Sequence, residues 1–197
     1  MQNAYFYVLL DYIFDLGASA SALADPKADC NFNRPHHGLE KMPLFDALIE
    51  MQASGIIEFR DRSELLITKT ISVTDLKNHE SKIFVFLTDV GGYEWEKAFD
   101  PDWSKYILDC YMLGKNDCVK ASIETGSVDT ADYVEEGISR VIHPVNIKKS
   151  ILSPWKPTYW EILNEGHLIE FNMLTDTPGL LSQLKRDLPW RKPLKPA

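Results

Sequence analysis

The sequence predicts an α+β fold. Near the N-terminus, apolar residues recur at helical spacing, at Phe6, Leu9 and Ile13, which is typical of an amphipathic helix. Residues 83–87 form a short β-rich run between polar segments, which indicates a strand. Of the 197 residues, 45% are hydrophobic and 25% are charged. This balance is that of an ordinary globular chain and excludes disordered, collagen-like and coiled-coil classes.

Three main helices and three strands are predicted in the first hundred residues. Gly17 closes the first helix, Pro43 suits the first turn of the second, and Thr88 is placed to cap the third. In chain order, the predicted elements are a helix at 4–16, a loop with one short helix at 18–41, a helix at 43–54, strands at 56–60, 65–73 and 83–87, and a helix at 88–99.

The second half is predicted to be a smaller α+β unit. Its expected elements are strands at 106–113 and 118–123, a helix at 129–142, a strand at 145–152, and a hairpin of 159–163 with 167–173. Asn164-Glu-Gly166 would form the turn of that hairpin. The predicted domains are therefore 1–101 and 102–184, followed by a basic, proline-containing tail at 185–197.

One block of sequence has a familiar order. A leucine-containing helix runs into Gly55-Ile56-Ile57, a β-ribbon follows, and Leu87-Thr-Asp-Val-Gly91 opens the next helix. This arrangement resembles the recognition helix, wing and following helix of bacterial winged-helix proteins, with residues 44–57 and 87–103 carrying the resemblance. The string from Leu87 to Trp103 is also similar to that of an uncharacterised bacterial group. The resemblance implies a winged-helix-like N-terminal half and admits a homodimer, because winged-helix units often pair through their terminal helices.

A winged-helix relative could bind DNA, so a transcription regulator is an alternative function. Its recognition helix would need Arg, Lys, Asn or Gln to reach bases and phosphates. Here the helix at 43–54 offers Asp46, Glu50 and Gln52. Two carboxylates would repel a duplex, which makes DNA the less favoured partner.

The charge of the chain favours a basic partner. The chain has 29 acidic and 21 basic residues, a formal charge of −8 and a pI near 5.1. From Lys185 onward the charge is +4, so residues 1–184 carry −12. For the tail itself, a loosely docked terminus is the simpler interpretation, and contact with nucleic acid or with the chain's own acidic surface is the alternative.

Cysteine and histidine residues predict neither a cofactor nor a metal. Three cysteines fit no disulfide framework, and a cytoplasmic location is the simpler expectation. Cys30, His36 and His37 are the only cluster of soft ligands, without the spacing of a zinc site. Two further cysteines, Cys110 and Cys118, are expected to be small buried side chains on neighbouring strands. No stretch has the length of a membrane span.

No motif for catalysis is found in the chain. A nucleophile elbow, a phosphate loop, a dinucleotide fingerprint and a His-Glu-x-x-His zinc motif are all missing from the sequence. The chain is therefore predicted not to be an enzyme, with catalysis by scattered residues as a second alternative.

Carboxylates and tryptophans between residues 94 and 103 are the predicted binding site. Carboxylates can steer a basic protein, and a desolvated indole can anchor it. Core packing is the simpler interpretation of each tryptophan. The candidate residues are Glu94, Trp95, Glu96, Asp100, Asp102 and Trp103. The predicted function is a non-catalytic acidic protein-binding module, of the kind represented by toxin-neutralising immunity proteins, which acts by occlusion of a basic partner.

Overall fold

The fold is α+β, with mixed helices and antiparallel sheets. A computed structural model of the chain describes residues 4–14, 17–25, 37–113, 119–142, 144–173 and 184–192. The chain divides into two units. The first contains Met1–Phe99 and Thr158–Glu161, and the second contains Asp100–Pro157 and Ile162–Lys192. The division after Phe99 lies two residues before the predicted boundary, and residues 158–161 belong to the first unit rather than to the second.

The first unit is a helical bundle with a small antiparallel sheet. In chain order its elements are α1 (Ala4–Ile13), β1 (Ala18–Ser19), α2 (Ala20–Leu23), α3 (Lys41–Ala53), β2 (Ile57–Arg60), α4 (Val73–His79), β3 (Phe84–Leu87) and α5 (Asp89–Phe99). The strand order is β1-β3-β2. Ile57 pairs with Leu87 and Phe59 with Val85, and these four side chains are buried. The helices predicted around residues 4, 43 and 88 are confirmed, with shifted ends.

The core of this unit is built from the apolar faces of α1 and α3 and from the sheet. Leu9, Leu10 and Ile13 of α1 and Leu44 and Leu48 of α3 are fully buried. Each such side chain contributes about 1.5–3 kcal/mol to folding. Burial of these faces explains why two short helices with few capping interactions persist in the folded chain.

The strand predicted at 65–73 is wrong. Only Leu66 forms a β-bridge in this stretch, with Arg60. Helix α4 begins at its end because Ser72 and Asp75 form a capping box, in which each side chain accepts a hydrogen bond from the backbone N–H of the other. A capping box satisfies two N–H groups that a helix start leaves unpaired, so Ser72 and Val73 belong to the start of α4 and not to a strand. At the other end of the predicted strand, Leu65 and Leu66 are exposed.

The motifs behind the winged-helix resemblance meet in space. Thr88 donates its hydroxyl to the carbonyl of Gly55 at 2.5 Å and accepts the N–H of Gly91 at 3.1 Å, which caps α5 as expected. Gly55 has a φ of +71°, a conformation that favours glycine. At Gly91, an added Cβ would lie 2.0 Å from the carbonyl oxygen of Ile56. Both glycines are therefore required by local geometry.

The second unit is a four-stranded antiparallel sheet with one helix against it. Its elements are β4 (Ile107–Leu113), β5 (Val119–Thr125), α6 (Val128–Val141), β6 (Val145–Leu152) and β7 (Gly166–Met173). The strand order is β4-β5-β7-β6. Alternate residues of β5 and β7 pack with α6 in one core, which includes Ala121, Ile123, Val134, Ile138 and Ile169. The strands predicted at 106–113 and 145–152 and the helix at 129–142 are confirmed.

The hairpin predicted around Gly166 is wrong. Strand β7 pairs with β6, where Leu152 is opposite Gly166, and on its other side with β5. The residues that were expected to form the first arm, at 159–163, form no strand. Instead Tyr159 belongs to the first unit, where its hydroxyl donates to the carbonyl of Ile13 at 2.6 Å. Pairing was decided by contacts distant in sequence, which a local turn signal does not contain.

Candidate protein-interaction site

Helix α5 has a buried face and an exposed face. Gly91, Gly92, Trp95 and Phe99 are buried, and their spacing of three to four residues places them on one side of the helix. The opposite side carries Asp89, Val90, Tyr93, Glu94, Glu96 and Lys97. We call these six residues the α5 surface.

Trp95 belongs to the core of the first unit. Its side chain is 0% exposed. The indole stacks on Phe14 with ring centroids 4.6 Å apart, and its Nε1 donates a hydrogen bond to Asp11 Oδ1 at 3.1 Å. The predicted role of Trp95 as an interface anchor is therefore wrong, whereas the simpler interpretation, core packing, is confirmed. The indole faces inward because it lies four residues from both Gly91 and Phe99.

Two apolar side chains of the α5 surface are exposed instead. Val90 is 55% exposed and Tyr93 is 64% exposed. They are three residues apart and so lie side by side on the helix. Near them, Asp89 is exposed and Glu94 and Glu96 are half-buried, while the exposed Lys97 lies one turn after Tyr93 as the basic residue of this side. An exposed ring surrounded by an excess of carboxylates has the composition of a surface that binds a basic protein.

The other predicted site residues lie in the second unit. Asp100 forms an ion pair with Lys192. Asp102 forms one with Lys105 at 2.8 Å and accepts a hydrogen bond from Ser104 at 2.5 Å. The Lys105 ammonium, followed by the Ser104 hydroxyl, lowers the pKa of the Asp102 carboxyl. The surroundings of Asp102 therefore favour its carboxylate form, and neighbouring lysines partly neutralise both acidic side chains.

Trp103 is half-buried in an aromatic cluster of the second unit. Its ring centroid lies 5.4 Å from that of Tyr106 and 5.5 Å from that of Trp190. The six predicted residues thus divide between the units, with Glu94, Trp95 and Glu96 in the first and Asp100, Asp102 and Trp103 in the second. The six residues therefore do not form one site: Trp95 packs inside the first unit, whereas Asp100 and Trp103 contact Lys192 and Trp190 in the second.

Three basic side chains on and after helix α3 are paired with carboxylates, whereas Arg62 is exposed and forms no ion pair with any residue that the structure describes. Lys41 lies 2.5 Å from Glu80, Arg60 lies 2.5 Å from Glu58, and Lys69 lies 3.3 Å from Asp75. The exposed part of α3 itself contains Asp46 and Glu50. Paired cations offer less to a phosphate than free ones, because each must first give up its carboxylate.

His37 has a structural role among the described residues. Its Nδ1 accepts the backbone N–H of Leu39 at 3.1 Å, so its Nε2 is the donor to the carbonyl of Leu23 at 2.8 Å. His36 and Cys30, the other members of the predicted ligand cluster, lie outside the described residues. In the described part of the chain, no three metal-ligating side chains converge.

Cys110 is exposed rather than buried. It lies on the sheet face opposite α6, because residues alternate between faces along β4 and Ile107 points to the core. The expectation of a buried side chain is therefore wrong for Cys110, and Cys118 lies outside the described residues.

An apolar groove runs between α6 and the edge strand β6. It has a volume of about 290 Å³, and its lining includes Val128, Ala131, Ile151 and Ile169. Lys149 at its rim pairs with Glu135 and Asp132, and hydrogen bonds to these carboxylates raise the pKa of the lysine. The groove suits apolar side chains rather than ions, since the charges at its rim are already paired.

Comparison with protein-family models, with curated proteins and with solved structures finds no match to this chain. Among the helices that the structure describes, none combines the length and the hydrophobicity that a membrane span requires.

Sequence reasoning missed Val90, Tyr93 and Trp190. The signal for the first two was present, because buried positions three and four residues apart on α5 identify the outward positions between them. Trp190 had no such signal, since it lies among charges and prolines in the tail and its neighbours are about 85 residues away in the chain.

Proposed function

We propose that this protein is a non-catalytic, acidic protein-binding module that occludes a basic partner, as a toxin-neutralising immunity protein does. The observation that carries the proposal is the α5 surface, where exposed Tyr93 and Val90 stand among the carboxylates of Asp89, Glu94 and Glu96. Aromatic side chains at the centre of an interface supply most of its binding energy. The surrounding charges select the sign of the partner.

The charge distribution supports the same function. Residues Met1–Phe99 contain 15 acidic and 9 basic side chains, a formal charge of −6. A field of this sign raises the association rate of a positively charged protein. Burial of Tyr93 would then slow dissociation, because an aromatic ring in a desolvated contact contributes about 2 kcal/mol or more.

The proposal is tested by cross-linking from Tyr93 in the native host. A photoreactive phenylalanine analogue at position 93 should form an adduct with a protein of basic pI. The same analogue at Met112, an exposed apolar position of the second unit, should not. Adducts from both positions alike, or with acidic proteins, would contradict the proposal.

Once the cross-linked partner is identified and purified, its affinity for variants of the chain measures the contribution of Tyr93 to binding. We expect Tyr93→Ala to raise the Kd by about 30-fold, which corresponds to about 2 kcal/mol. Glu94→Lys should mainly lower the association rate, and more so at low salt. Met112→Ala is the matched control, and an effect of Tyr93→Ala no larger than that of Met112→Ala would refute the role of the α5 surface.

A winged-helix DNA-binding regulator is the second candidate. The observation in its favour is the order of elements α1, β1, α2, α3, β2, α4 and β3, with strand order β1-β3-β2. This order is the one expected of a winged helix except for α4, an additional helix between the two strands of the wing. The observations against it are the carboxylates of α3 and the paired cations described above. We therefore rank DNA below a basic protein as the partner.

Two further features belong to the proposal. We propose a cytoplasmic location, with which an exposed unpaired thiol at Cys110 is compatible. We propose a homodimer only as the assembly that a winged-helix-like first unit would permit.

A further inference from the structure

The C-terminal segment at 184–192 begins with Leu184, which is buried in the core of the second unit, and two of its basic side chains lie on an acidic surface of that unit. Lys192 forms an ion pair with Asp100, and Lys185 forms one with Asp109. Two basic side chains at the two ends of the segment thus meet two carboxylates. For residues 184–192, this contact is the one that the sequence analysis gave as the alternative for the basic tail, a contact with the chain's own acidic surface. Residues 193–197 lie outside the described part of the chain.

A tryptophan lies between these ion pairs. The ring of Trp190 packs edge-to-face on Tyr106 with centroids 4.6 Å apart, and its centroid lies 5.5 Å from that of Trp103. The backbone N–H of Asp102 donates to the carbonyl of Trp190 at 2.5 Å. The Arg191 guanidinium lies 5.5 Å from the Trp190 ring. We call Asp100, Trp103 and Tyr106, which precede β4, together with Asp109 of β4, the loop surface.

The contacts divide into an anchor and a charge pattern. The side chains of Lys192 and Asp100 are each 68% exposed, and such pairs contribute little to affinity. The aromatic contacts carry more, because edge-to-face ring pairs add to the area that they bury. A ligand of the loop surface therefore needs a tryptophan, which supplies most of the affinity. It also needs lysine or arginine side chains nearby, which align the ligand by pairing with Asp100 and Asp109.

We propose that the loop surface is a binding surface for a basic, tryptophan-bearing segment of the partner, and that residues 190–192 occupy it as an intramolecular competitor. This inference rests on the proposed function in that the partner is a basic protein. It adds the chemistry of the segment that is recognised and a contact that must open before the partner binds.

Competition by a tethered segment has a predictable size. A segment joined to its site acts at an effective concentration on the order of millimolar. If the free segment binds with a Kd near 100 µM, the tethered copy weakens binding of a second copy by about tenfold.

The test is a titration of the full-length chain with a labelled peptide that has the sequence of residues 184–197. The double variant Trp190→Ser/Lys192→Glu removes the side-chain contacts of residues 190–192 with the loop surface, while Leu184 stays in the core of the second unit. We expect this variant to bind the peptide at least about tenfold more tightly than the unmodified chain does. Arg186→Glu is the matched control, since it changes the charge of the same segment at an exposed residue, and it should behave like the unmodified chain.

A second peptide, with Trp190→Ser, tests the anchor and should bind the double variant at least about tenfold more weakly than the first peptide. Equal affinity of the first peptide for all three chains, no binding to the double variant, or equal affinity of the two peptides would each overturn the proposal.

A single variant protects the test against misfolding. Lys192→Glu changes an exposed side chain, and we expect it to tighten peptide binding by about twofold to fivefold; no change would count against the proposal. The α5 surface is unchanged in every variant and no partner is added. The titration can therefore fail while cross-linking from Tyr93 succeeds, or the reverse.

Discussion

Tyr93 and Trp95 are two residues apart on one helix and have opposite surroundings. The ring of Tyr93 is mostly in solvent, whereas Trp95 is fully enclosed and bonded to Asp11. A turn of 3.6 residues rotates two such positions by about 200°, so one faces the core and the other faces water. For the larger indole, the core offers more buried area than any surface position would.

This difference predicts opposite effects on stability and on binding. We expect Trp95→Ala to lower the free energy of unfolding by about 3–5 kcal/mol, because it leaves a large cavity. Tyr93→Ala should change it by less than about 0.5 kcal/mol. Urea denaturation of both variants measures this, with the unmodified chain as reference. A large loss of stability in Tyr93→Ala would show that its exposed ring is part of the core.

At the scale of single elements, the start of helix α4 depends on a titrating group. The hydrogen bonds from the Ser72 side chain and backbone, followed by one from Lys69, lower the pKa of Asp75 from its ordinary value of 3.8 to about 2. The folded form thus favours the carboxylate. The stabilisation by Asp75 is complete above about pH 4 and is lost as the pH falls toward 2.

Ser72→Ala should remove the largest cause of that shift. We expect the pKa of Asp75 to rise toward 3.8 in this variant, as measured by NMR titration of the Asp75 carboxyl. Amide exchange in α4 should become faster above pH 4, where the cap now contributes less. Thr74→Ala, an exposed change in the same helix, should leave the pKa where it is. An unchanged pKa of Asp75 in Ser72→Ala would assign the shift to the backbone N–H of residue 72, which alanine keeps, and to Lys69.

The elements also differ in how far the sequence could predict them. Helices α3, α5 and α6 and the strands at 57–60, 84–87 and 145–152 were predicted because periodicity and end signals are local. The partner of β7 was not, because Asn164-Glu-Gly166 is a plausible turn whichever strand pairs with it. Likewise, the sequence leaves open whether the Trp103 side chain contacts another protein or Trp190, because this depends on where residues 184–192 pack.

At the scale of the whole molecule, the sign of the charge decides between the two candidate functions. The formal charge is −8, and Lys41, Arg60 and Lys69 already have acidic neighbours. A protein that binds duplex DNA instead gains affinity by releasing counterions with free cations.

We therefore expect fluorescence anisotropy to detect no association of the chain with random duplex DNA at about 50 mM salt. A variant with Glu58→Gln, Asp75→Asn and Glu80→Gln frees the three cations and should gain affinity. Association of the unmodified chain with a steep loss of affinity as salt rises would favour the gene regulator over the antagonist.

By itself, the sequence determined the α+β class, most helix and strand positions and the excess of negative charge, because these follow from composition and from neighbours within a few residues. Only the tertiary structure decided that Trp95 is a core residue, that β7 pairs with β6, and that Trp190 packs on Trp103. Each of these depends on which distant surfaces exclude water from one another. Local patterns leave that choice open, since several pairings satisfy the same hydrophobic period.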